Sequence, residues 1–327
     1  MNIKIAIVIP AYKSQYLDAT LLSISKQTDK DFRVYIGDDN SPNHLDKIVD
    51  RFNSILNIKY KKFDSNLGAT NLTAQWDRCI SMVEDENWIW LFSDDDLMDE
   101  DCIEKFKKEL LQTNIQYDLY RFNTKIINNE DEVVHDNTLN IKTESSFEFA
   151  LERLEFKRNS YAIEYVFSKE MYIKIGHFVN FPLAWNSDDA TWIKMGADKG
   201  ICTIPDAKVY WRYSSTNISS SSVLYQEKIE ASIQYLTWFD EWLKTSPQPY
   251  NLPFKNLQKI KTNFIYHQIA LLNLKPTAQN IIKFANLFQR RISVPFFTTV
   301  LFFIGLSTKK VKIKLIRFLK KVINKLF

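Results

Sequence analysis

Residues 88–96 read Trp88-Ile89-Trp90-Leu91-Phe92-Ser93-Asp94-Asp95-Asp96. Five apolar side chains run without a break towards three adjacent carboxylates. An uncharged run this short, bounded by polar residues, predicts a buried β-strand. The carboxylates then fall at its carboxyl end. Three such groups side by side repel one another and cost stability unless a cation or solvent compensates.

Upstream, the same pattern repeats. Residues 3–9 (Ile-Lys-Ile-Ala-Ile-Val-Ile) form a β-branched run stopped by Pro10 and predict a strand. Leu17, Leu21 and Ile24 follow at helical spacing, and Phe32 to Ile36 predict a second strand ending at Gly37. Leu45, Ile48, Val49, Phe52, Ile55 and Leu56 predict a helical face, and Ile58 to Phe63 a third strand. Leu72, Trp76, Cys79, Ile80 and Val83 predict the helix before Trp88. Strands recurring about every thirty residues suit right-handed βαβ units. The alternation predicts an α/β chain with a mostly parallel sheet. Ligands in such sheets bind beyond the carboxyl ends of the strands. Three polar turns fall there: Asp38-Asp39-Asn40-Ser41, Asn66-Leu67-Gly68 and Ser93-Asp94-Asp95-Asp96.

Downstream the texture changes. Ile103, Phe106 and Leu110 mark a helix, and residues 117–135 predict two strands around Asn128-Asn129-Glu130-Asp131. A loop-rich stretch is expected to about residue 215. It contains Trp185-Asn186-Ser187-Asp188-Asp189 and Tyr210-Trp211-Arg212. The serine-rich run 214–222 reads as a boundary or a flexible lid, and helical periodicity resumes from 224. Residues 292–306 carry no charge, but fifteen residues fall short of the roughly twenty that a spanning helix needs. They predict a re-entrant or interfacial segment, or a core helix. The expected organisation is two halves of one domain, 1–110 and 111–222, followed by a helical C-terminal region, 223–327.

The net charge of +4 hides an asymmetry. Eight basic side chains and no acidic one lie in residues 307–327, leaving 35 basic against 39 acidic residues elsewhere. In that tail Val311, Leu315, Phe318, Leu319, Val322, Ile323 and Leu326 share one helical face, opposite most of the lysines. This is the pattern of a helix lying on an anionic membrane surface. The continuous apolar face argues against a phosphate-binding arm, so no nucleic acid is expected as a partner. The cysteines, Cys79, Cys102 and Cys202, form no CxxC pair, which points to a reducing compartment and away from a disulfide framework or a zinc site. The short apolar run after Met1 does not make a signal-peptide core, so a cytoplasmic body is expected, peripheral on the inner face of the cell membrane.

An all-oxygen cluster such as Asp94-Asp95-Asp96 suits Mg2+ or Mn2+, ions that also grip a diphosphate. The competing reading is a solvated acidic turn capping the next helix; the position after a very apolar strand favours function. Asp38-Asp39-Asn40-Ser41 reads either as turn and cap chemistry or as a carboxylate that accepts hydrogen bonds from a nucleotide base. Asp188-Asp189 reads either as a helix cap or as a general base, because neighbouring carboxylates push one pKa upward. Trp211-Arg212 offers a cation for a phosphate, or a surface arginine packed on tryptophan. The chain has no GxGxxG, no P-loop lysine motif and no HExxH, which argues against a dehydrogenase, a P-loop NTPase and a zinc protease.

The order of these pieces is more specific than any one of them. Val8-Ile9-Pro10-Ala11-Tyr12, Ser23-Ile24-Ser25-Lys26-Gln27-Thr28, Asp38-Asp39-Asn40-Ser41, Asn66-Leu67-Gly68 and Asp94-Asp95-Asp96 together resemble the family 2 glycosyltransferases of the GT-A fold. The match covers about residues 3–110 and continues more loosely to about 220. The resemblance implies a Rossmann-like, mixed but mostly parallel sheet flanked by helices, with a C-terminal helical extension. It implies that Pro10, Ala11, Tyr12, Asp39, Asn66, Gly68, Asp94 and Arg212 bind the donor. The aspartates look like the family's DxD motif, which holds Mn2+ or Mg2+. Two frames are open, and Asp95 ranks first among Asp94, Asp95 and Asp96. Asp188-Asp189 is similar to the family's Glu-Asp pair, whose second residue is the base, so Asp189 carries the expectation and Asp188 departs from Glu. Tyr213 and Ser214 stand where family members often carry a histidine.

The implied activity is a metal-dependent, inverting hexosyl- or N-acetylhexosaminyl-transferase of bacterial surface-polysaccharide synthesis. Its expected partners are a nucleotide-sugar donor (a UDP-sugar favoured) and a glycan or lipid-linked acceptor. A nucleotidyltransferase and a non-catalytic sugar-nucleotide-binding scaffold are the alternatives. The first usually needs a glycine-rich loop that Pro10-Ala11-Tyr12 lacks; donor turnover separates the second.

Overall fold

The computed structural model describes residues 3–214, 224–246, 252–271 and 277–306. The basic tail at 307–327 and residues 215–222 of the serine-rich run lie outside the described residues. The chain divides into two compact units, Met1–Ser221 with Ser246–Pro249, and Ser222–Thr245 with Tyr250–Phe327.

The first unit opens with β1 (Ile5–Ala11), α1 (Leu17–Ser25), β2 (Arg33–Asp38), α2 (Leu45–Asp50), β3 (Ile58–Lys62), α3 (Leu72–Ile80) and β4 (Trp88–Leu91). β1 pairs in parallel with β2 on one side and β4 on the other, and β2 with β3. Strand order therefore reverses at β1, the kind of switch point where α/β sheets open a crevice for ligands. β5 (Leu97–Met98), α4 (Cys102–Gln112), β6 (Leu119–Ile127), β7 (Val133–Asp136), β8 (Thr143–Glu144) and α5 (Ser146–Leu154) come next. β9 (Tyr165–Ser168), α6 (Lys169–Lys174), α7 (Ser187–Met195) and β10 (Ile201–Arg212) complete the unit. The sheet order is β3-β2-β1-β4-β9-β6-β10-β5, with β7 on β6 and β8 on β10. β9 runs antiparallel to both neighbours while β6 and β10 are parallel, so the sheet is mixed.

The core is built where the apolar runs predicted it. Ile5, Ile7, Ile9, Val34, Ile36 and Trp90 are all sealed from solvent, each burial contributing roughly 1.5–3 kcal/mol. Trp90 also fixes the second half of the sheet to the first. Its ring stacks on Phe122 at 4.8 Å, and its Nε1 donates to the Ile163 carbonyl at 2.7 Å.

The stretch expected to be loop-rich holds α5, β9, α6, α7 and β10 instead. Three of these elements are helices of nine residues or fewer, too short for a long periodic stripe. α5 starts with a reciprocal capping box between Ser145 and Glu148. β10 is interrupted by Pro205 and a register shift between Thr203 and Lys208. α2 stops at Asp50, six residues before Leu56; Phe52 and Leu56 reach the core from turns.

The second unit contains α8 (Tyr225–Thr245), α9 (Phe254–Leu271), α10 (Ala278–Ile292) and α11 (Phe296–Leu306). Buried Lys261 of α9 pairs with Asp240 of α8. α11 begins after Pro295 and packs on α10, with Phe303 stacked on Phe284 at 6.0 Å. No helix among the described residues is long and apolar enough to cross a membrane.

Candidate active site

The site begins where β1 and β4 end side by side. Asp94 Oδ2 accepts the backbone N–H groups of Tyr12 at 2.8 Å and Lys13 at 2.7 Å. This ties Pro10-Ala11-Tyr12-Lys13 to the aspartate cluster across the switch point. The Tyr12 ring stays 41% exposed while its carbonyl accepts the Ser41 hydroxyl at 2.6 Å. The turn after β2 is thereby joined to the same edge.

Asp95 and Asp96 are directed differently. Asp95 takes the Lys13 ammonium on Oδ2 and the Ser93 hydroxyl on Oδ1. Asp96 Oδ1 accepts the Arg212 backbone N–H at 2.7 Å. Burial first, then the charge of Asp95, raises the pKa of both Asp94 and Asp96. Burial of the Lys13 ammonium works against its charge, but Asp95, Asp94 and Asp96 outweigh it and raise its pKa. The cluster thus carries more negative charge than its surroundings balance, and a side-chain cation already answers that demand at Asp95. Among the described residues no group of three or more His, Cys, Asp or Glu side chains is placed to share one ion. Mg2+ commonly binds through one or two carboxylates completed by substrate phosphates. An Asp95-centred oxygen donor set fits that mode.

Arg212, at the end of β10, is fully buried against this cluster. Its Nε donates to the Asp95 carbonyl and its Nη1 to the Asn128 carbonyl, both at 2.7 Å, and its Nη2 pairs with Asp131. The guanidinium also stacks over Tyr16 at 4.1 Å. It shapes the aspartate turn from behind and is not the surface arginine that the sequence also permits.

Asp39 builds the neighbouring wall. Its Oδ1 accepts the Leu67 N–H at 2.7 Å and the Arg78 guanidinium at 2.6 Å, and its Oδ2 accepts the Gly68 N–H at 2.8 Å. A Cβ on residue 68 would sit 2.6 Å from Asp39 Oδ2, so glycine permits the approach. Asn66 Oδ1 caps the turn on the Ala69 N–H at 3.0 Å.

The second carboxylate cluster lies in the first turn of α7. Asp189 is 1% exposed, and Arg153 Nε holds both its oxygens. Asp188 is half-buried; burial first, and then Asp189, raises its pKa. The cap of α7 is Asn186, so neither aspartate is the cap residue. Leu183, Ala184 and Asn186 all have positive φ, a concentration of backbone strain in non-glycine residues that functional sites often store. Contacts link the two clusters: Tyr161 stacks on Trp211 at 4.4 Å and lies within electrostatic reach of Asp96 and Arg153.

Sequence reasoning had not singled out Lys13, Arg78 or Arg153. Lys13 is adjacent to the flagged Pro10-Ala11-Tyr12 and was legible as a nearby cation. Arg78 and Arg153 sit on ordinary amphipathic helices, where nothing local marks them.

Residues 6–174 match the family described as Glycosyl transferase family 2. No curated protein sequence matches the chain. Among solved structures, S. aureus TarS 1–349 in complex with UDP-GlcNAc is 15% identical with a TM-score of 0.66, covering 88% of this chain and 82% of that one. GalNAc-T7 with UDP, GalNAc and Mn2+ is 10% identical with a TM-score of 0.51, covering 82% of this chain and 56% of that one. At these identities the two likenesses establish a shared fold.

Proposed function

The chain belongs to glycosyl transferase family 2, with a GT-A fold, and on that premise we propose that it moves a hexosyl or N-acetylhexosaminyl group from a UDP-sugar to a hydroxyl of a glycan or lipid-linked acceptor in surface-polysaccharide synthesis. The observation that carries this reading is the convergence of Tyr12, Asp39, Asp94, Asp95 and Asp96 on one edge of the sheet at the point where strand order reverses. A UDP-sugar is favoured because the two structural relatives above were solved with UDP-GlcNAc and with UDP and GalNAc.

In this reading Pro10, Ala11 and Tyr12 line the base and ribose. Asp39 orders the Asn66–Gly68 turn beside them and faces the base. Asp95 is the principal ligand for Mn2+ or Mg2+, supported by Asp94 and Asp96. When bound, the ion supplies positive charge against the departing diphosphate. Arg212 holds the aspartate turn in place through the Asp95 carbonyl.

Proton acceptance falls to the Asp188-Asp189 pair. The sequence favours Asp189, but its oxygens are engaged by Arg153, whereas Asp188 is partly exposed and has a raised pKa. We therefore assign the proton-accepting role to Asp188 and positioning to Asp189. The acceptor oxygen bonds to the anomeric carbon as the bond from that carbon to the diphosphate oxygen breaks. The hydroxyl proton goes to Asp188. With one base and no protein nucleophile, a single displacement inverts the anomeric centre.

The basic amphipathic tail supports attachment to the anionic inner face of a membrane. Release of nucleoside diphosphate from UDP-, GDP- and dTDP-sugars, with and without Mn2+, tests the activity. Metal-dependent turnover of one donor class is expected. Absence of turnover with every donor in a folded sample, even with acceptor extracts, would favour the scaffold alternative.

A further inference from the structure

Strand β6, strand β7 and the segment after α5 enclose a cavity of about 170 Å3. Thr124, Asn137, Asn140, Asn159, Glu164 and Phe156 stand on its wall. Three side-chain amides, two hydroxyls (Thr124 and Thr138), the His135 imidazole, a carboxyl and one phenyl ring make a strongly polar lining.

Several of these groups retain capacity for a ligand. Asn140 Oδ1 is buried without a hydrogen-bond partner among the described residues. Glu164 is 2% exposed and accepts the Thr124 hydroxyl on Oε1 at 2.6 Å. No described residue donates a hydrogen bond to its Oε2. Asn159 Nδ2 donates to Asn137 Oδ1 at 3.0 Å, which presents the two amides as one unit. Phe156 is 37% exposed and held at a positive φ of 54°. Buried polar groups are ordinarily satisfied, so an orphaned acceptor beside a polar cavity points to an occupant.

The charges decide what kind of occupant. The arginine and the lysine on the wall are already paired: Arg158 with Glu144 and Glu152, and Lys157 with Glu155. A phosphate or carboxylate would find them neutralised and would meet the Glu164 carboxyl. A neutral ring bearing several hydroxyls suits the lining better. Amides offer paired donors and acceptors, a carboxyl accepts O–H groups, and the phenyl face meets the C–H side of the ring.

We propose that this cavity binds one monosaccharide unit of the acceptor, with Asn140 and Glu164 as polar anchors and Phe156 as the packing face. The proposal rests on the sugar-transferase reading for the word acceptor. Its placement supports that word: Arg153, whose Nε holds Asp189, donates through Nη1 to the carbonyl of the wall residue Arg158 at 2.5 Å. The cavity thus adjoins the Asp188-Asp189 cluster without including it.

The test is saturation-transfer NMR on the full chain with the methyl glycosides of N-acetylglucosamine, glucose and galactose, and calorimetry with inorganic phosphate as the anionic probe. At least one glycoside is expected to bind, with affinity about tenfold weaker in Asn140→Leu and in Phe156→Ala. These variants lie on separate segments, and circular dichroism identifies any that misfolds, leaving the other to decide. No glycoside binding, binding unchanged in a folded variant, or phosphate binding lost in the variants would each overturn the proposal. UDP affinity, measured on the same samples, is expected to stay unchanged. Its absence in wild type would count against the donor reading alone.

Discussion

Arg153 Nε lies 2.9 Å from Asp189 Oδ1 and 3.0 Å from Oδ2. A single guanidinium N–H therefore bridges both oxygens of the residue that the family resemblance nominates as the base, and the neighbouring Asp188 is the more exposed of the pair. Burial first, and then the Asp189 charge, pushes Asp188 up to about 7. Its proton-accepting form grows in as pH rises through that value, so kcat/KM is expected to fall about tenfold per pH unit below it. Asp188→Asn is expected to lower transfer by about 10²–10⁴-fold and to abolish this limb. Asp189→Asn removes a like charge and should move the limb to lower pH. Arg153→Met removes an opposite charge and should move it higher. A pH–rate profile of the three variants checks all of this; a profile in which Asp188→Asn retains full activity would return the role to Asp189.

Gly68 and Asp39 form a second close pair. A Cβ at residue 68 would sit 2.6 Å from Asp39 Oδ2, so Gly68→Ala must displace that carboxylate or the turn. Overpacking of this kind costs about 1–3 kcal/mol. The variant is expected to melt at a lower temperature and, under the proposed placement of Asp39 beside the nucleotide, to bind UDP more weakly. Calorimetry with UDP and a thermal melt measure the two effects; unchanged UDP affinity would separate Asp39 from the donor site.

Glu164 makes stability depend on pH. Burial pushes its carboxyl up to about 7, against the Thr124 hydrogen bond and the charges of Arg121, Arg153 and Arg158. The folded protein therefore keeps the proton at pH values where the unfolded chain, with its usual value of 4.5, has lost it. Because the unfolded state then binds fewer protons, stability falls as pH rises from 4.5 towards 7 and levels off above. Glu164→Gln removes the penalty. It is expected to be the more stable protein at pH 8, by up to about 3 kcal/mol, and close to wild type at pH 5. Urea midpoints at the two pH values measure it; an equal difference at both would show that the titration contributes nothing.

The parts of the fold that were legible in the sequence are those whose signal is local. Trp88–Phe92, residues 3–9 and the polar turns after them carry strand and turn chemistry in consecutive residues, and the sheet edge follows from their alternation. The region from α5 to β10 was not legible, because its helices are short and β10 crosses a proline and a bulge. The site divides in the same way. Asp39, Asp94, Asp95, Asp96, Asp188 and Asp189 stand out as carboxylates at element ends. The groups that set their behaviour do not: Lys13 reaches Asp95 across 82 residues and Arg153 reaches Asp189 across 36. Such pairings arise only when the fold brings separate elements together: strand ends for Lys13 and Asp95, the helices α5 and α7 for Arg153 and Asp189.

The most direct test of the account is calorimetric titration of UDP, with GDP and dTDP alongside, into wild type and Asp95→Ala, with Mn2+ and with chelator. Metal-dependent binding of one nucleotide is expected, weakened about tenfold or more by Asp95→Ala or by the chelator. Equal affinity under all four conditions, or no binding of any nucleotide to folded wild type with Mn2+, would contradict a donor site centred on Asp95.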